Sequence, residues 1–452
     1  MNIFFRIFKI LRSLLDPNAP RMILFLAKEA MRTARERAGA PPRFLRSSIG
    51  AASQSTAGRR VRVALLIDEY FGGWDTAYGG YGFLARRLTA KYLPDEAMEI
   101  EVILHGHKVP GLVQRREIDG TQVYKLSTSD RLSRYWLKIR RYDIFLSIEL
   151  TSIAAIALAP KQTPHILWIQ DPRPQSEWDE IATVSLFPEP SYYDQRIYDY
   201  VADRQDRIRF VTQGVFLNEL ARELYSLKRS IPIEYAPNPI EIPGNTAQTA
   251  PKKDNLIIFL GRIDSVKRGW IFCEIAKRLP DYEFHVLGSI HNNVARNKAV
   301  LAPYIDDDGR SRIPNLHLQG HVDGAQKQQF LSRAKILVNT SIHEALPISF
   351  LEALAARTLI VSCRNPEGLT EKFGFYTGPV IGDGFDRVDA FIEGIHRIMR
   401  DEDLRANIAE KGFKYVHEFH SIERFQQTMR AVITDTVNRQ SKRRRIERSE
   451  FA

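Results

Sequence analysis

The stretch Leu256-Ile-Ile-Phe-Leu-Gly-Arg-Ile-Asp-Ser-Val-Lys-Arg-Gly-Trp-Ile-Phe-Cys-Glu-Ile-Ala-Lys-Arg-Leu279 contains the pattern that decides the fold. An apolar run of strand length comes first, a glycine follows it directly, and residues 270–279 then have the apolar spacing of a helix. A strand, a tight turn and a helix form the repeating unit of a parallel sheet that is covered on both faces. The stretch therefore predicts an α/β domain.

The same alternation continues towards the carboxyl terminus. The sequence predicts further strands at 283–287, 315–318, 336–338 and 359–362, helices at 325–334 and 350–356, and three final helical segments at 387–400, 402–416 and 421–437. We therefore predict a Rossmann-like, doubly wound domain over residues 241–420. The last helix, about 421–437, is expected to pack back on the preceding half of the chain.

An equivalent pattern fills that preceding half. Apolar runs alternate with helical stretches such as 83–92, 153–159 and 215–224, and the runs lie at 61–67, 99–104, 144–148, 165–169 and 209–212. They predict a first Rossmann-like domain over residues 61–240, which ends at Pro237-Asn-Pro239 and the polar stretch 241–254. The predicted fold class is thus α/β, with two tandem doubly wound domains facing a cleft in which such folds bind ligands.

The net charge of +11 is concentrated at the two ends of the chain. Residues 1–60 carry 12 Lys and Arg against 3 Asp and Glu, and residues 438–452 carry 6 against 2, so the remaining body has a net charge of −2. A nearly neutral body without a nucleic-acid-binding motif argues against a nucleic-acid partner.

The amino terminus has the pattern of an amphipathic surface helix. Residues 1–15 are largely apolar, but Arg6, Lys9 and Arg12 interrupt them at every third position, which suits neither a spanning helix nor a secretory signal. We expect residues 1–15 and the basic tail at 439–448 to contact an anionic membrane surface, with packing on the body or on a protein partner as the alternative. Residues 39–60 are predicted to be a linker.

The cysteine content favours a reducing compartment. Only Cys273 and Cys363 occur, and each lies in a predicted helix or strand, so no disulfide framework is indicated. We expect a cytoplasmic protein that can lie peripherally on the inner face of the cell membrane.

Two basic residues follow the strand of the opening stretch. Gly261 permits a tight turn, and Arg262 and Lys267 are placed so that both can reach a diphosphate from one loop. The alternative is that both are solvated loop charges.

A second polar segment contains two glutamates eight residues apart. In Ser341-Ile-His-Glu344-Ala-Leu-Pro-Ile-Ser-Phe-Leu-Glu352, a helix is predicted to start near Pro347–Ser349, and its free amides and dipole would attract an anion. Glu344 and Glu352 are placed to accept hydrogen bonds from sugar and ribose hydroxyls. The alternative for Glu352 is a capping box that begins at Ser349.

The first domain contributes two further candidate groups. Gly79 and Gly80 open a predicted helix and would let the backbone approach a phosphate, although a plain turn between strand and helix is the alternative. Gln170, Asp171 and Arg173 follow the predicted strand 165–169 and are acceptor-site candidates, with turn chemistry around a proline as the alternative.

Taken in order, these motifs resemble a known family. A strand, Gly-Arg-x(4)-Lys, about 75 residues and then Glu-x(7)-Glu resemble the retaining GT-B glycosyltransferases of family 4, the glycosyl transferases group 1. The resemblance extends from Pro237-Asn238 to Glu352-Ala-Leu-Ala-Ala356. It covers residues 235–420 strongly and 61–235 weakly.

The resemblance implies a role for each matching residue. Arg262 and Lys267 would hold the diphosphate of a nucleotide-sugar donor, Glu344 would contact the transferred sugar, and Glu352 would bind the ribose. The backbone around Gly261 and at Leu346, Pro347, Ile348 and Ser349 would support donor sugar and phosphate. It implies transfer to a saccharide or lipid-linked acceptor without a metal or other cofactor. Many members carry His-Asp where this chain has Gln170-Asp171, so the chain departs from the family pattern at the position of that histidine.

Two other functions remain open on the sequence. A nucleotide-sugar epimerase shares the GT-B architecture but needs no acceptor, and a non-catalytic scaffold of a polysaccharide assembly complex could keep the fold alone. Two further motifs, His105-Gly-His107 and the loop Asp306-Asp-Asp308, could bind a metal but are expected to be exposed polar groups.

Overall fold

The fold is taken from a computed structural model that describes residues 19–38, 60–150, 163–175, 178–179, 194–242, 253–290 and 295–449. The predicted helix at 153–159, the amphipathic segment 1–15 and the linker 39–59 lie outside the described residues. Fourteen strands in two sheets are described, together with the helices that cover them.

The first sheet has eight strands in the order β3-β4-β2-β1-β5-β6-β7-β8. Apart from β3, which pairs with β4 in the antiparallel direction, neighbouring strands are parallel. The strands are β1 (Val61–Ile67), β2 (Met98–Val109), β3 (Gln114–Ile118), β4 (Thr121–Ser127), β5 (Ile144–Ile148), β6 (His165–Ile169), β7 (Ile208–Thr212) and β8 (Ile233–Tyr235). The associated helices are α1 (Ala19–Ala38), α2 (Gly80–Arg87), α3 (Asp130–Arg140), α4 (Gln195–Ala202) and α5 (Asn218–Leu224).

The second sheet has six strands, all parallel, in the order β11-β10-β9-β12-β13-β14. The strands are β9 (Leu256–Leu260), β10 (Glu283–Leu287), β11 (Leu316–Leu318), β12 (Ile336–Asn339), β13 (Leu359–Ser362) and β14 (Gly374–Tyr376). The helices are α6 (Gly269–Arg278), α7 (Ala295–Leu301), α8 (Gly324–Arg333), α9 (Ile348–Ala355), α10 (Leu369–Lys372), α11 (Val388–Arg400), α12 (Glu402–Phe419) and α13 (Ile422–Ser449). The predicted fold class is confirmed.

The central strands of each sheet are buried on both faces, which explains the uninterrupted apolar runs in the sequence. In β1, Val63 and Leu65 enter one apolar cluster, whereas Ala64 and Leu66 enter another on the opposite face. In β9, Ile257 and Phe259 likewise face one cluster and Leu256 and Ile258 the other. The core of each domain is therefore a three-layer sandwich of helix, sheet and helix.

The last helix joins the core of the first domain rather than that of the second. Phe425 of α13 stacks on Trp168 with ring centroids 5.3 Å apart, and Arg209 of β7 pairs with Asp435 at 2.7 Å. The helix continues to Ser449, so the basic segment predicted as a separate tail at 438–452 is helical over most of its length.

The amino-terminal segment 1–60, predicted as an extension and linker, contains a helix that is part of the first domain. Leu26 of α1 is buried in a core cluster of that domain, and Glu29 accepts a hydrogen bond from Trp136 of α3 at 3.2 Å. Among the described residues, no helix combines the length and apolarity that a membrane crossing requires.

Candidate donor and acceptor site

Lys267 and Glu344 form an ion pair at the carboxyl edge of the second sheet. Lys267 follows β9 and Glu344 follows β12, and these strands are neighbours, so their following loops meet. The Lys267 ammonium donates to Glu344 Oε1, which also accepts from Asn339 Nδ2 at 3.0 Å and Ser341 Oγ at 2.7 Å. Two of the predicted donor residues are thus brought together.

The surroundings keep Glu344 ionised. Burial alone would raise the pKa of its carboxyl, but the charge of Lys267 and the hydrogen bonds from Lys267, Ser341 and Asn339 outweigh burial and lower the pKa. Glu344 is therefore an acceptor of hydrogen bonds and not a proton donor at neutral pH.

A buried arginine fixes the backbone of the Lys267 loop. The Arg268 guanidinium is fully buried and donates to the carbonyls of Thr340, Val380 and Gly382 at 2.9, 3.0 and 3.1 Å. The Thr340 hydroxyl in turn donates to the Lys267 carbonyl at 2.7 Å. These hydrogen bonds connect the loop that carries Lys267 with the segment at Thr340 that precedes Glu344. The two charged side chains are therefore held in a defined relative position.

Arg262 does not join the Lys267–Glu344 pair. Its side chain is 57% exposed and lies 3.3 Å from Asp264. Its positive charge also acts to lower the pKa of Glu69 in the first domain. The predicted donor residues therefore do not form one cluster, because Lys267 and Glu344 pair with each other and Arg262 lies apart beside Asp264.

Helix α9 begins close to the predicted position and removes the capping-box alternative. Pro347 precedes the first helical residue, Ile348, so Ser349 lies inside the first turn and cannot be the capping residue. Glu352 accepts instead from Lys327 of α8 at 2.6 Å. Leu346 is buried, and Pro347 has no N–H group, so the first N–H groups of the helix are those of Ile348 and Ser349.

The start of α9 and its lysine partner lie against the first domain. The Ile348 side chain packs on a core cluster of that domain, and the Lys327 ammonium lies 4.8 Å from the ring centroid of Phe83. Glu352 is therefore held at the interdomain boundary.

The glycine turn before α2 encloses a carboxylate of its own chain. Glu69 Oε1 accepts from the Gly82 N–H at 2.8 Å, and a Cβ atom on Gly79 would lie 2.2 Å from the Glu69 oxygens, whereas one on Gly80 would meet open space. Burial raises the pKa of Glu69, and the Gly82 hydrogen bond and the charge of Arg262 oppose that rise. Part of the anion site predicted at this turn is thus used by Glu69, which sequence reasoning missed.

Asp171 connects the two domains. Its Oδ1 atom lies 2.7 Å from Nε2 of His343 in the second domain, and its Oδ2 atom accepts from Arg173 Nε at 2.9 Å. Burial would raise the pKa of Asp171, but His343 and Arg173 lower it well below its usual range. Gln170 is buried, and its side-chain nitrogen has no hydrogen-bond partner among the described residues.

Glu149 holds the backbone at Asp171 by hydrogen bonds, and sequence reasoning missed it as well. Its backbone has a φ of 56°, a strained conformation for a residue other than glycine, and its Oε1 atom accepts from the N–H groups of Gln170 and Asp171. Burial raises its pKa to about 7, although those hydrogen bonds act in the opposite direction. Neither strain nor pKa can be inferred from the sequence around Glu149.

A cavity of about 370 Å³ lies between the two domains beside these groups. The first domain contributes side chains from the Asp171 turn and from α5, and the second contributes the ends of β13 and β14. Its lining residues include Asp171, Leu220, His343, Glu344, Arg364 and Tyr376. Of the predicted acceptor residues only Asp171 lines this cavity, and a sugar-sized ligand in it would contact both Asp171 and Glu344.

The two remaining motifs are explained without this site. His105 is buried within β2 and pairs with Asp68 at 2.7 Å, so it is not the exposed residue that was expected. Asp307 and Asp308 are exposed and pair with Lys298 and Arg310, as expected for a solvated loop.

Comparison with solved structures identifies the class of fold. A glycosyltransferase from Rickettsia africae aligns at 13% identity with a TM-score of 0.58 and covers 84% of this chain and 99% of its own. Sucrose-phosphate synthase from Thermosynechococcus elongatus aligns at 13% identity with a TM-score of 0.59, and the alignment covers 83% of this chain and 99% of the synthase. Anabaena HepE in complex with UDP and glucose aligns at 12% identity with a TM-score of 0.57, and the alignment covers 83% of this chain and 100% of HepE. The chain has the two-domain GT-B fold that is found in glycosyltransferases.

Comparison with family models gives a family match for the second domain. Residues 245–415 match the model of glycosyl transferases group 1, and this segment contains the whole second sheet with Lys267, Glu344 and Glu352. No curated protein matches the chain in sequence. These comparisons give no support to the epimerase alternative.

Proposed function

We propose that this protein is a retaining glycosyltransferase of family 4 that moves a sugar from a nucleotide diphosphate to a saccharide or lipid-linked acceptor. The observation that carries the proposal is the Lys267–Glu344 pair, which borders an interdomain cavity within the segment that matches glycosyl transferases group 1. At this edge the cation can contact the diphosphate of a sugar diphosphate, and the ionised carboxylate can accept hydrogen bonds from its sugar.

The donor half of the mechanism follows from the positions of the charges. Lys267 would stabilise the negative charge that grows on the diphosphate as the bond to the sugar breaks, and the amides of Ile348 and Ser349 would add neutral donors. Arg262 would close on the diphosphate from the exposed side of the loop. Glu352 would hold the ribose, and Glu344 would hold a sugar hydroxyl. Preorganised charges of this kind require no metal in the donor site.

The acceptor half would use the cavity. An acceptor hydroxyl placed between Asp171 and Glu344 would approach the sugar on the face that the diphosphate leaves, and the leaving phosphate would take its proton. Transfer on one face retains the anomeric configuration without a carboxylate nucleophile. The buried side-chain nitrogen of Gln170, at the position where a histidine was expected, can donate to a hydroxyl but cannot take a proton.

The cellular setting is part of the proposal. The basic segments 1–15 and 439–448 suit attachment to the inner face of the cell membrane, as in cell-envelope or exopolysaccharide synthesis. Cosedimentation with anionic phosphatidylglycerol vesicles should be lost when Arg6, Lys9 and Arg12 are replaced by Gln. Unchanged sedimentation of that variant would refute the membrane role of the amino terminus.

The catalytic proposal is tested in two stages. A panel of nucleotide sugars is first screened for thermal stabilisation, because a ligand that binds only the folded state raises its melting temperature. Release of the nucleoside diphosphate is then measured for Glu344→Gln, which should lower kcat/KM by roughly 10- to 100-fold, the effect of losing a hydrogen bond to a charged group. The matched control is Glu371→Gln on the exposed side of α10. Full turnover in Glu344→Gln would contradict the assignment, and absence of turnover in the native protein would favour the scaffold.

A further inference from the structure

A polar patch interrupts the apolar packing on one face of the second sheet. Adjacent positions of the parallel strands β9 and β10 are Leu256 with Glu283 and Ile258 with His285, so the two β10 residues lie beside core residues of β9. His285 is in turn in register with His317 of β11. Two imidazoles and a carboxylate thus lie on one face of the neighbouring strands β10 and β11.

The side chains of this patch converge. The rings of His285 and His317 have centroids 4.5 Å apart, and His317 Nε2 lies 2.7 Å from Glu283 Oε2. One ligand atom from each of the three residues lies within 4.8 Å of the other two. Glu283 and His317 are 60% and 40% exposed, so both can shift by the small distance that insertion of an ion between their contacting atoms requires.

A fourth residue orients the inner histidine. Gln319 Nε2 lies 3.0 Å from Nδ1 of His285, and Phe330 of α8 packs 5.2 Å from the same ring. Nε2 of His285 has no hydrogen-bond partner among the described residues. A side chain that engages one ring nitrogen and leaves the other free is the usual support of a metal-binding histidine, and the Gln319 amide can rotate to accept from Nδ1–H.

We propose that Glu283, His285 and His317 bind a divalent transition metal ion such as Zn²⁺. Two imidazoles and one carboxylate form a ligand set that zinc accepts, with a fourth position open to water or to another molecule. The site lies at the first and middle positions of β10 and at the middle of β11, whereas Lys267 and Glu344 follow the carboxyl ends of β9 and β12. The ion would therefore stabilise the outer strands of the sheet, and the inference does not rest on the proposed function.

Calorimetric titration of Zn²⁺ into the chelator-treated, dialysed full-length protein tests the proposal. We expect saturable one-to-one binding, which His317→Ala weakens at least roughly tenfold, the lower end of the losses seen when a metal site is perturbed. Bound Co²⁺ should show a ligand-field absorption band in the native protein that His317→Ala lacks. Neither readout depends on glycosyl transfer.

The control is His417→Ala, which removes an exposed histidine on α12. Because His317 is at the edge of the sheet and partly exposed, its replacement should leave the fold intact, and a circular dichroism spectrum checks this. Glu283→Gln gives a second variant with an even more exposed side chain. Absence of saturable Zn²⁺ binding in the native protein, or equal affinity in the His317→Ala and His417→Ala variants, would overturn the proposal.

Discussion

Lys267 is the residue at which local structure and proposed chemistry are most closely linked. Its backbone is held by Asp264, which accepts its N–H at 2.8 Å, and its ammonium group contacts Glu344. In the Lys267→Ala variant we expect kcat for transfer to fall by roughly 10²- to 10³-fold, as when one preorganised donor to a developing anion is removed. Steady-state release of the nucleoside diphosphate measures the change.

The matched control for this substitution is Lys277→Ala. Lys277 lies on the following helix, α6, and its side chain is 57% exposed with only a 3.8 Å contact to Glu274. The Lys277→Ala substitution changes the net charge by the same amount as Lys267→Ala, but it does not alter the cleft. If both variants lost activity equally, the role of Lys267 would be one of overall charge and not of position.

Glu149 is expected to make stability depend on pH. Its pKa is about 7 in the folded protein and near 4.5 when unperturbed, so the folded state binds more protons between these values. The stabilising contribution is complete below pH 4.5 and is lost as the pH rises through 7. At about 1.4 kcal/mol per pKa unit, the loss amounts to up to about 3 kcal/mol.

Glu149→Gln reproduces the uncharged side chain and should remove this dependence. The glutamine oxygen can still accept from the N–H groups of Gln170 and Asp171, so the turn is retained. Urea unfolding at pH 5 and pH 8 should show a smaller difference for the variant than for the native protein or for Glu371→Gln. Equal pH dependence in all three proteins would show that Glu149 does not titrate in this range.

At the scale of elements, the strands with uninterrupted apolar runs were predicted from the sequence, whereas β3, β4, β8 and β14 were not. The strands β1, β5, β6 and β9 are covered on both faces, so their apolar runs appear directly in the sequence. By contrast β3 is an exposed edge strand with the sequence Gln-Arg-Arg-Glu-Ile and has no apolar run. The turn Asp119-Gly120 carried a usable signal, because both residues have positive φ as in a hairpin turn.

The candidate site was predictable where a motif and a helix start coincide. The position of α9 placed Glu352 correctly inside the helix, and the order of strands brought the Lys267 and Glu344 loops together. His343, Glu149 and Lys327 were missed because each acts through a partner more than 20 residues away in the chain. Such contacts depend on the tertiary fold and leave no local pattern.

The packing of helix α13 on the first sheet leads to a testable prediction about stability. Phe425 is fully buried between the helix and the first sheet, where it stacks on Trp168. Phe425→Ala should lower the free energy of unfolding by about 3–5 kcal/mol, the cost of a large cavity in a core. Urea denaturation measures this, with the partly exposed Phe385→Ala as the control. A loss no larger than that of the control would mean that α13 is not an integral part of the first domain.

For the whole molecule, the contact between Asp171 and His343 joins loops of the two domains beside the cavity. Both side chains are largely buried, and the two atoms are 2.7 Å apart. His343→Ala should therefore increase the rate of amide hydrogen exchange in residues 170–173 and 341–344 while leaving β1 and β9 unchanged. Exchange that remains at the native rate in both loops would show that other contacts hold the domains together, and His417→Ala serves as the control.

The central claim is that a nucleotide diphosphate binds between the two domains at Lys267. A crystal structure of the complex with the nucleoside diphosphate that stabilises the protein most would test it directly. We expect diphosphate oxygens within hydrogen-bonding distance of the Lys267 ammonium and of the Ile348 and Ser349 amides, and a ribose hydroxyl at Glu352. A nucleotide bound away from this cleft, with the Lys267–Glu344 pair undisturbed, would contradict the claim.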